Sequence, residues 1–207
     1  MTVIIKYGLG NVGSIYNMCK YIGAEIVISN SKAEIEKATS LILPGVGSFD
    51  QGMELLVKNS LVELLNYKVL EEKVPILGIC LGMQLMTKGS EEGKLQGLNW
   101  IDAKCKKFDF GLNENQLKIP HMGWNDVDLV ESKETSFFPL IDNELRFYFA
   151  HSYHVECYDD ITLGTTKYGY KFPVAIKKDN IIGVQFHPEK SHQFGMNLLK
   201  TFTSNQF

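Results

Sequence analysis

The pattern of apolar and polar positions divides the chain near Gly97. Before it, short apolar runs alternate with stretches of helical period. Residues 3–7 and 25–29 read as strands, with helix over 17–22 between them. "SLIL" at 40–43 is a further buried strand, followed by the turn "PGVGSFD". A helical stretch from about 53 to 72 is interrupted near Asn59. "VPILGIC" at 74–80 is a strand of nearly continuous apolar character, and "LGMQLMTKG" follows as helix. This alternation predicts βαβ units around a parallel sheet covered on both faces. After Gly97 the text turns strand-like: "WIDAKCKKF", "NDVDLV", "LRFYFAHSYHV", "TLGTTKY" and "FPVAIKKDNIIGVQF" are joined by Gly, Asn and Asp turns. A last amphipathic helix lies near 194–203. The expected fold is α/β and one domain over 1–207: a mostly parallel central sheet flanked by helices, with an antiparallel or mixed extension.

Composition narrows this only by exclusion. A length of 207 residues suits one domain with a substantial core. A formal charge of −3 offers no basic excess to meet phosphates, so no nucleic-acid partner is expected. The longest apolar runs stop short of the roughly 20 residues that span a bilayer, and the N-terminus carries no signal-peptide pattern. The four cysteines, Cys19, Cys80, Cys105 and Cys157, form no C-x-x-C pair. Neither a metal site nor a disulfide scaffold is suggested, and a reducing cytoplasm is the expected compartment.

"GLGNVG" at 8–13 matches G-x-G-x-x-G, the phosphate turn of dinucleotide-binding folds. That fingerprint also wants an acid closing the second strand, about 20 residues on. Here the strand ends on Ser29 and Asn30, and Glu25 sits at its start. The match is incomplete; a tight strand-to-helix turn is the competing reading.

The sharpest feature is Gly78-Ile79-Cys80-Leu81-Gly82, a cysteine version of the nucleophile elbow between strand and helix. The following helix would aim its N–H groups and positive end at the sulfur, favouring thiolate. A buried structural cysteine is the alternative. A cysteine nucleophile needs a base and an orienting group. "GVQFHPEKS" offers His187 and Glu189, with Pro188 stiffening the link, while His121 and His192 read as loop residues and His151 and His154 as strand-flanking. An oxyanion hole could draw on the Leu81 N–H and on the "PGVG" turn, where Gly45 and Gly47 flank Val46.

Taken in order, "YGLGN", "LPGVGSFD", "LGICLGMQL", "SEEG", "IPHMGWN", "FYFAHSYH" and "GVQFHPEKS" resemble the class I glutamine amidotransferases, with a flavodoxin-like core. More closely they resemble the glutaminase subunits of imidazole glycerol phosphate synthases, over nearly the whole chain. The resemblance implies Cys80 as nucleophile, His187 as proton shuttle and Glu189 as its orienting group. It implies Val46 or Gly47 and Leu81 as oxyanion donors. It also implies Gln84, Glu92, Ser152 and Tyr153 as the glutamine pocket. No cofactor is implied. Ammonia would pass to a (β/α)8-barrel synthase subunit, docked on a face carrying Tyr7, Asn11, Trp124, Asn125 and Lys190. Lys6 and Gly13 depart from the family, where an acid and an arginine are common. These departures also suit a paralogous group that supplies ammonia for amidino groups on bacterial surface sugars. A stand-alone cysteine hydrolase of similar fold is a further alternative.

Overall fold

Thr2–Ile5 (β1) is apolar and buried at every position, which places it inside a sheet covered on both faces. The computed structural model describes all residues except 112–116, 131–136, 140, 142–143, 158 and 206–207. Helix Val12–Tyr21 (α1) leads to Ile26–Ser29 (β2), and the short helix Lys32–Glu36 (α2) to Ser40–Gly45 (β3). Phe49–Lys58 (α3) and Val62–Asn66 (α4), with a π-helical turn over Tyr67–Glu71, precede Ile76–Cys80 (β4). The expected break near Asn59 falls at Ser60, whose φ of 54° no helix accommodates. Leu81–Leu85 (α5) follows β4 directly.

The second half supplies Lys104–Lys107 (β5), His121–Asp126 (β6), Asp128–Leu129 (β7), Arg146–His151 (β8) and Tyr153–Glu156 (β9). Thr162–Tyr168 (β10), Tyr170–Lys178 (β11), Ile181–Val184 (β12) and helix His192–Thr203 (α6) complete it. The main sheet runs β2-β1-β3-β4-β12-β11-β10-β7. Its first five strands are parallel, and β11, β10 and β7 continue it antiparallel. The expected mixed extension is there. Two hairpin-like pairs, β5–β9 and β6–β8, stand apart from it.

Strand alternation divides the core between the two faces. Val3, Ile5, Leu41 and Leu43 pack with Phe49, Met53 and Leu56 of α3, while Ile4, Ile42, Leu77 and Ile79 pack with Ile15, Leu198 and Phe202. One consequence matters most for chemistry. Because β12 and β4 are parallel neighbours, Val184 pairing Ile79, the ends of both strands open at the same edge. Cys80 closes one and His187 follows the other.

Candidate active site

Cys80 has φ 53° and ψ −110°, a backbone that costs a non-glycine residue about 1–3 kcal/mol and persists only where its surroundings enforce it. Three glycines supply that enforcement. A Cβ on Gly78 would lie 2.7 Å from the Met86 Cε and 2.8 Å from the Met83 nitrogen, and one on Gly82 would overlap the Leu43 carbonyl oxygen. Gly45 pairs Cys80 across β3–β4, and a Cβ there would meet the Gly82 nitrogen at 2.6 Å. The elbow is therefore clamped between two strands and α5. That helix is shorter than expected. Leu98 and Trp100 N–H groups take the Leu85 and Met86 carbonyls, and the Thr87 hydroxyl takes that of Gln84, so it stops at Leu85.

His187 leaves β12 with its own N–H donated to the Tyr148 carbonyl at 2.8 Å, and the Ser191 hydroxyl donates to the His187 carbonyl. The turn Pro188–Lys190 then brings Glu189 Oε1 to 3.0 Å from His187 Nδ1, with both side chains buried. Burial alone would lower the imidazole, but hydrogen bonds and charge from Cys80 and Glu189 outweigh it and push His187 up to about 10. Glu189 Oε2 has no partner among the described residues. Imidazolium is thus the counter-charge to a buried carboxylate. Desolvation pushes the buried Cys19 and Cys105 up to about 12, so both remain thiols.

Cys80 and His187 open onto a cleft of about 270 Å³. Val46, Gly47, Leu81, Gln84, Glu92, Ser152, Tyr153 and Lys190 line it, as do Pro120, Met122, Ala150 and His151. Glu92 is fixed by the Phe49 N–H at the start of α3, which donates to its Oε2 at 2.8 Å. Gln84 donates from Nε2 to the Tyr153 carbonyl and to Gln185 Oε1, each at 3.0 Å. Gln185, fully buried, turns its own Nε2 to Cys80 Sγ at 3.7 Å. A lone polar residue in an apolar strand was the only trace of it in the sequence.

The residues assigned to a partner-facing surface divide. Trp124 is 42% exposed, stacked at 5.5 Å on His192 beside Tyr148, over whose ring the exposed Lys190 ammonium sits at 5.4 Å. Asn11 is half-buried ahead of α1. Tyr7 needs correction: it is 1% exposed, its ring joins the core, and its hydroxyl donates to the Pro44 carbonyl at 2.7 Å. Asn125 turns its carboxamide inward, to the Lys167 carbonyl and to His121. His121 is itself no loop residue but a buried one in β6, paired with His151.

"GLGNVG" serves the cleft from behind. Gly10, at φ +93°, lies so close to β3 that a Cβ would meet Pro44 Cβ at 2.8 Å, immediately before the "GVG" turn.

A cysteine on a strained strand end, a carboxylate-held histidine and a small polar cleft are the parts that acyl transfer requires. Residues 3–205 match the family "Glutamine amidotransferase class-I". The chain belongs to that family. Within it, the chain is 55% identical over 203 residues to "Imidazole glycerol phosphate synthase subunit HisH 2" of Methanococcus maripaludis, covering 98% of each. It is 46% identical over 204 residues to the Pseudomonas aeruginosa protein of the same name, again over 98% of each. The fold of a solved glutamine amidotransferase matches with a TM-score of 0.74 at 16% identity, covering 98% of both chains. The amidotransferase expectation, fold and family together, is met.

Proposed function

We propose that this chain is the glutamine-hydrolysing subunit of an imidazole glycerol phosphate synthase. The observation that carries the reading is the Cys80–His187–Glu189 arrangement at the base of a cleft holding Gln84 and Glu92, in a chain whose near full-length relatives bear that subunit's name. Cys80 attacks the side-chain carboxamide of glutamine. The developing oxyanion is met by the Leu81 N–H and by an N–H of the Val46–Gly47 turn, a donor of the kind worth about 3–4 kcal/mol to the transition state. His187 delivers its proton to the departing nitrogen, ammonia leaves, and the γ-glutamyl thioester is hydrolysed by water that His187 deprotonates. Both Gln84 amide hydrogens are engaged, which leaves its Oε1 as an acceptor suited to the substrate ammonium, beside Glu92. Ser152 and Tyr153 close the pocket.

Ammonia then passes to a (β/α)8-barrel synthase subunit seated over the cleft mouth, where Val46, Met122 and Trp124 are exposed beside Lys190. Among the described residues no helix is long and apolar enough to cross a membrane. The test compares glutamine-driven and ammonia-driven product formation with the synthase present. Cys80→Ala should abolish the first and spare the second, while Trp124→Ala should weaken docking. Glutamine hydrolysis surviving in Cys80→Ala refutes the reading. Lys6 and Gly13, both exposed, also suit a second acceptor class, the amidino sugars. Activation by that pathway's synthase, and not by the histidine-pathway one, would select it.

A further inference from the structure

The β6–β8 pair carries a buried hydrogen-bond chain that the triad does not use. We propose that His121 and Gln185 are positioning residues of the glutamine cleft, two halves of one chain running from the Asn125 carboxamide to the Cys80 sulfur. The proposal rests on the glutaminase reading above.

The first half has a forced direction. Asn125 Nδ2 lies 3.2 Å from His121 Nε2, His121 Nδ1 lies 3.0 Å from His151 Nε2, and His151 Nδ1 lies 2.8 Å from the Tyr153 carbonyl oxygen. A carbonyl only accepts, so His151 carries its proton on Nδ1 and accepts at Nε2. His121 must then donate from Nδ1 and accept at Nε2, and Asn125 must present its amide nitrogen. One tautomer set completes the chain, and both rings are neutral in it. Charging either ring would set donor against donor. Burial enforces neutrality, lowering His151 to about 3 and His121 to about 4. The His121 ring is also fixed in place, stacked on Phe149 at 4.7 Å and on Tyr168 at 4.2 Å.

The second half meets the first at the same carbonyl. Gln84 donates to it and to Gln185 Oε1, and the Gln185 amide nitrogen is aimed at Cys80 Sγ. Tyr153 lines the cleft, so whatever holds its carbonyl bears on the wall of the pocket and on the orientation of Gln84 together. Loss of the His121 donor leaves a buried nitrogen of His151 unpaired and frees that ring to turn away from the carbonyl. A buried group left unpaired in this way corresponds to about a 5- to 150-fold loss.

The test is the kinetics of glutamine-driven synthesis by the complex with its synthase, for wild type, His121→Phe, Gln185→Met and the double variant. Ammonia-driven synthesis reports docking and a thermal midpoint reports folding on the same samples. His121→Phe keeps the stacking and removes both nitrogens. Each single change should lower kcat/KM for glutamine about 5- to 150-fold. The double should fall about fivefold or more short of the product of the singles, because residues of one network couple where distant ones multiply. His121→Asn, whose amide nitrogen stands in for the Nδ1 donor, should recover most of the loss. Multiplicative singles, or His121→Asn no better than His121→Phe at a matched thermal midpoint, would overturn the proposal. Wild type that makes product from ammonia but never from glutamine would overturn the glutaminase reading itself, so the two failures are told apart.

Discussion

Replacing Glu189 by Gln isolates what a charge contributes at constant shape. The carboxylate is buried, bonds His187 Nδ1 at 3.0 Å and does not line the cleft. Glutamine therefore never touches it, and the change should leave KM within about twofold while lowering kcat. A hydrogen bond to a charged group is worth about 1.5–3 kcal/mol, and each 1.36 kcal/mol is tenfold in rate, so kcat should fall by roughly 10- to 150-fold. The pH profile supplies the second readout. His187 stays protonated to about pH 10 because Cys80 and Glu189 together outweigh its burial. Removing one of the two lowers that value, so the alkaline limb of glutamine-dependent kcat should move to lower pH. The assay is glutamate release by the complex across pH 6–11, with ammonia-driven synthesis as the control for an intact partner. A variant with wild-type kcat and an unmoved alkaline limb would show that Glu189 neither orients nor charges His187.

Two further outcomes follow from the packing. Gly82→Ala forces a methyl onto the Leu43 carbonyl of a central strand; overpacking of this kind costs about 1–3 kcal/mol, or roughly 2–12 °C of Tm in a chain this size. Glutamine-driven turnover should drop with it, and an unchanged Tm would mean that the elbow is not clamped as described. Acid should destabilise the fold through the buried histidines. Below pH 6.5 the unfolded chain takes up protons at His121 and His151 that the folded chain refuses until about pH 4 and 3. Each group then removes about 1.4 kcal/mol per pH unit as pH falls through that window. His154, also lowered by burial, acts in the same direction, whereas His187 is protonated in both states there and adds nothing. A urea midpoint flat between pH 7 and 5 would contradict this.

What the sequence disclosed, and what it hid, follows from the range of the forces involved. The parallel strands were legible because burial on both faces leaves nearly unbroken apolar text, as in "VPILGIC". Cys80, His187 and Glu189 were legible because strained elbows and short Pro turns need particular residues at fixed spacing. The length of α5 was not, because carbonyls that a longer helix would use are taken by Leu98 and Trp100, residues its own period does not include. His121 looked like a loop residue between Pro120 and Gly123, since its partner is 30 positions away and becomes a neighbour only through the β6–β8 pairing. Gln185 left no more than one polar position in an apolar strand for the same reason: its partners, Gln84 and Cys80, arrive on another strand and helix. Tyr7 and the glycines after it show the limit most clearly. The pattern G-x-G-x-x-G reports only that a backbone must turn tightly and come close to something. In a dinucleotide fold that something is a pyrophosphate, and here it is Pro44, with the Tyr7 hydroxyl on its carbonyl and the cleft-lining Val46–Gly47 turn shortly after it. The same local geometry that elsewhere makes room for a ligand here makes room for the strand that leads into a cleft-lining turn. Nothing within the motif distinguishes the two; the missing acid at Ser29–Asn30 and the cysteine elbow on a neighbouring strand do.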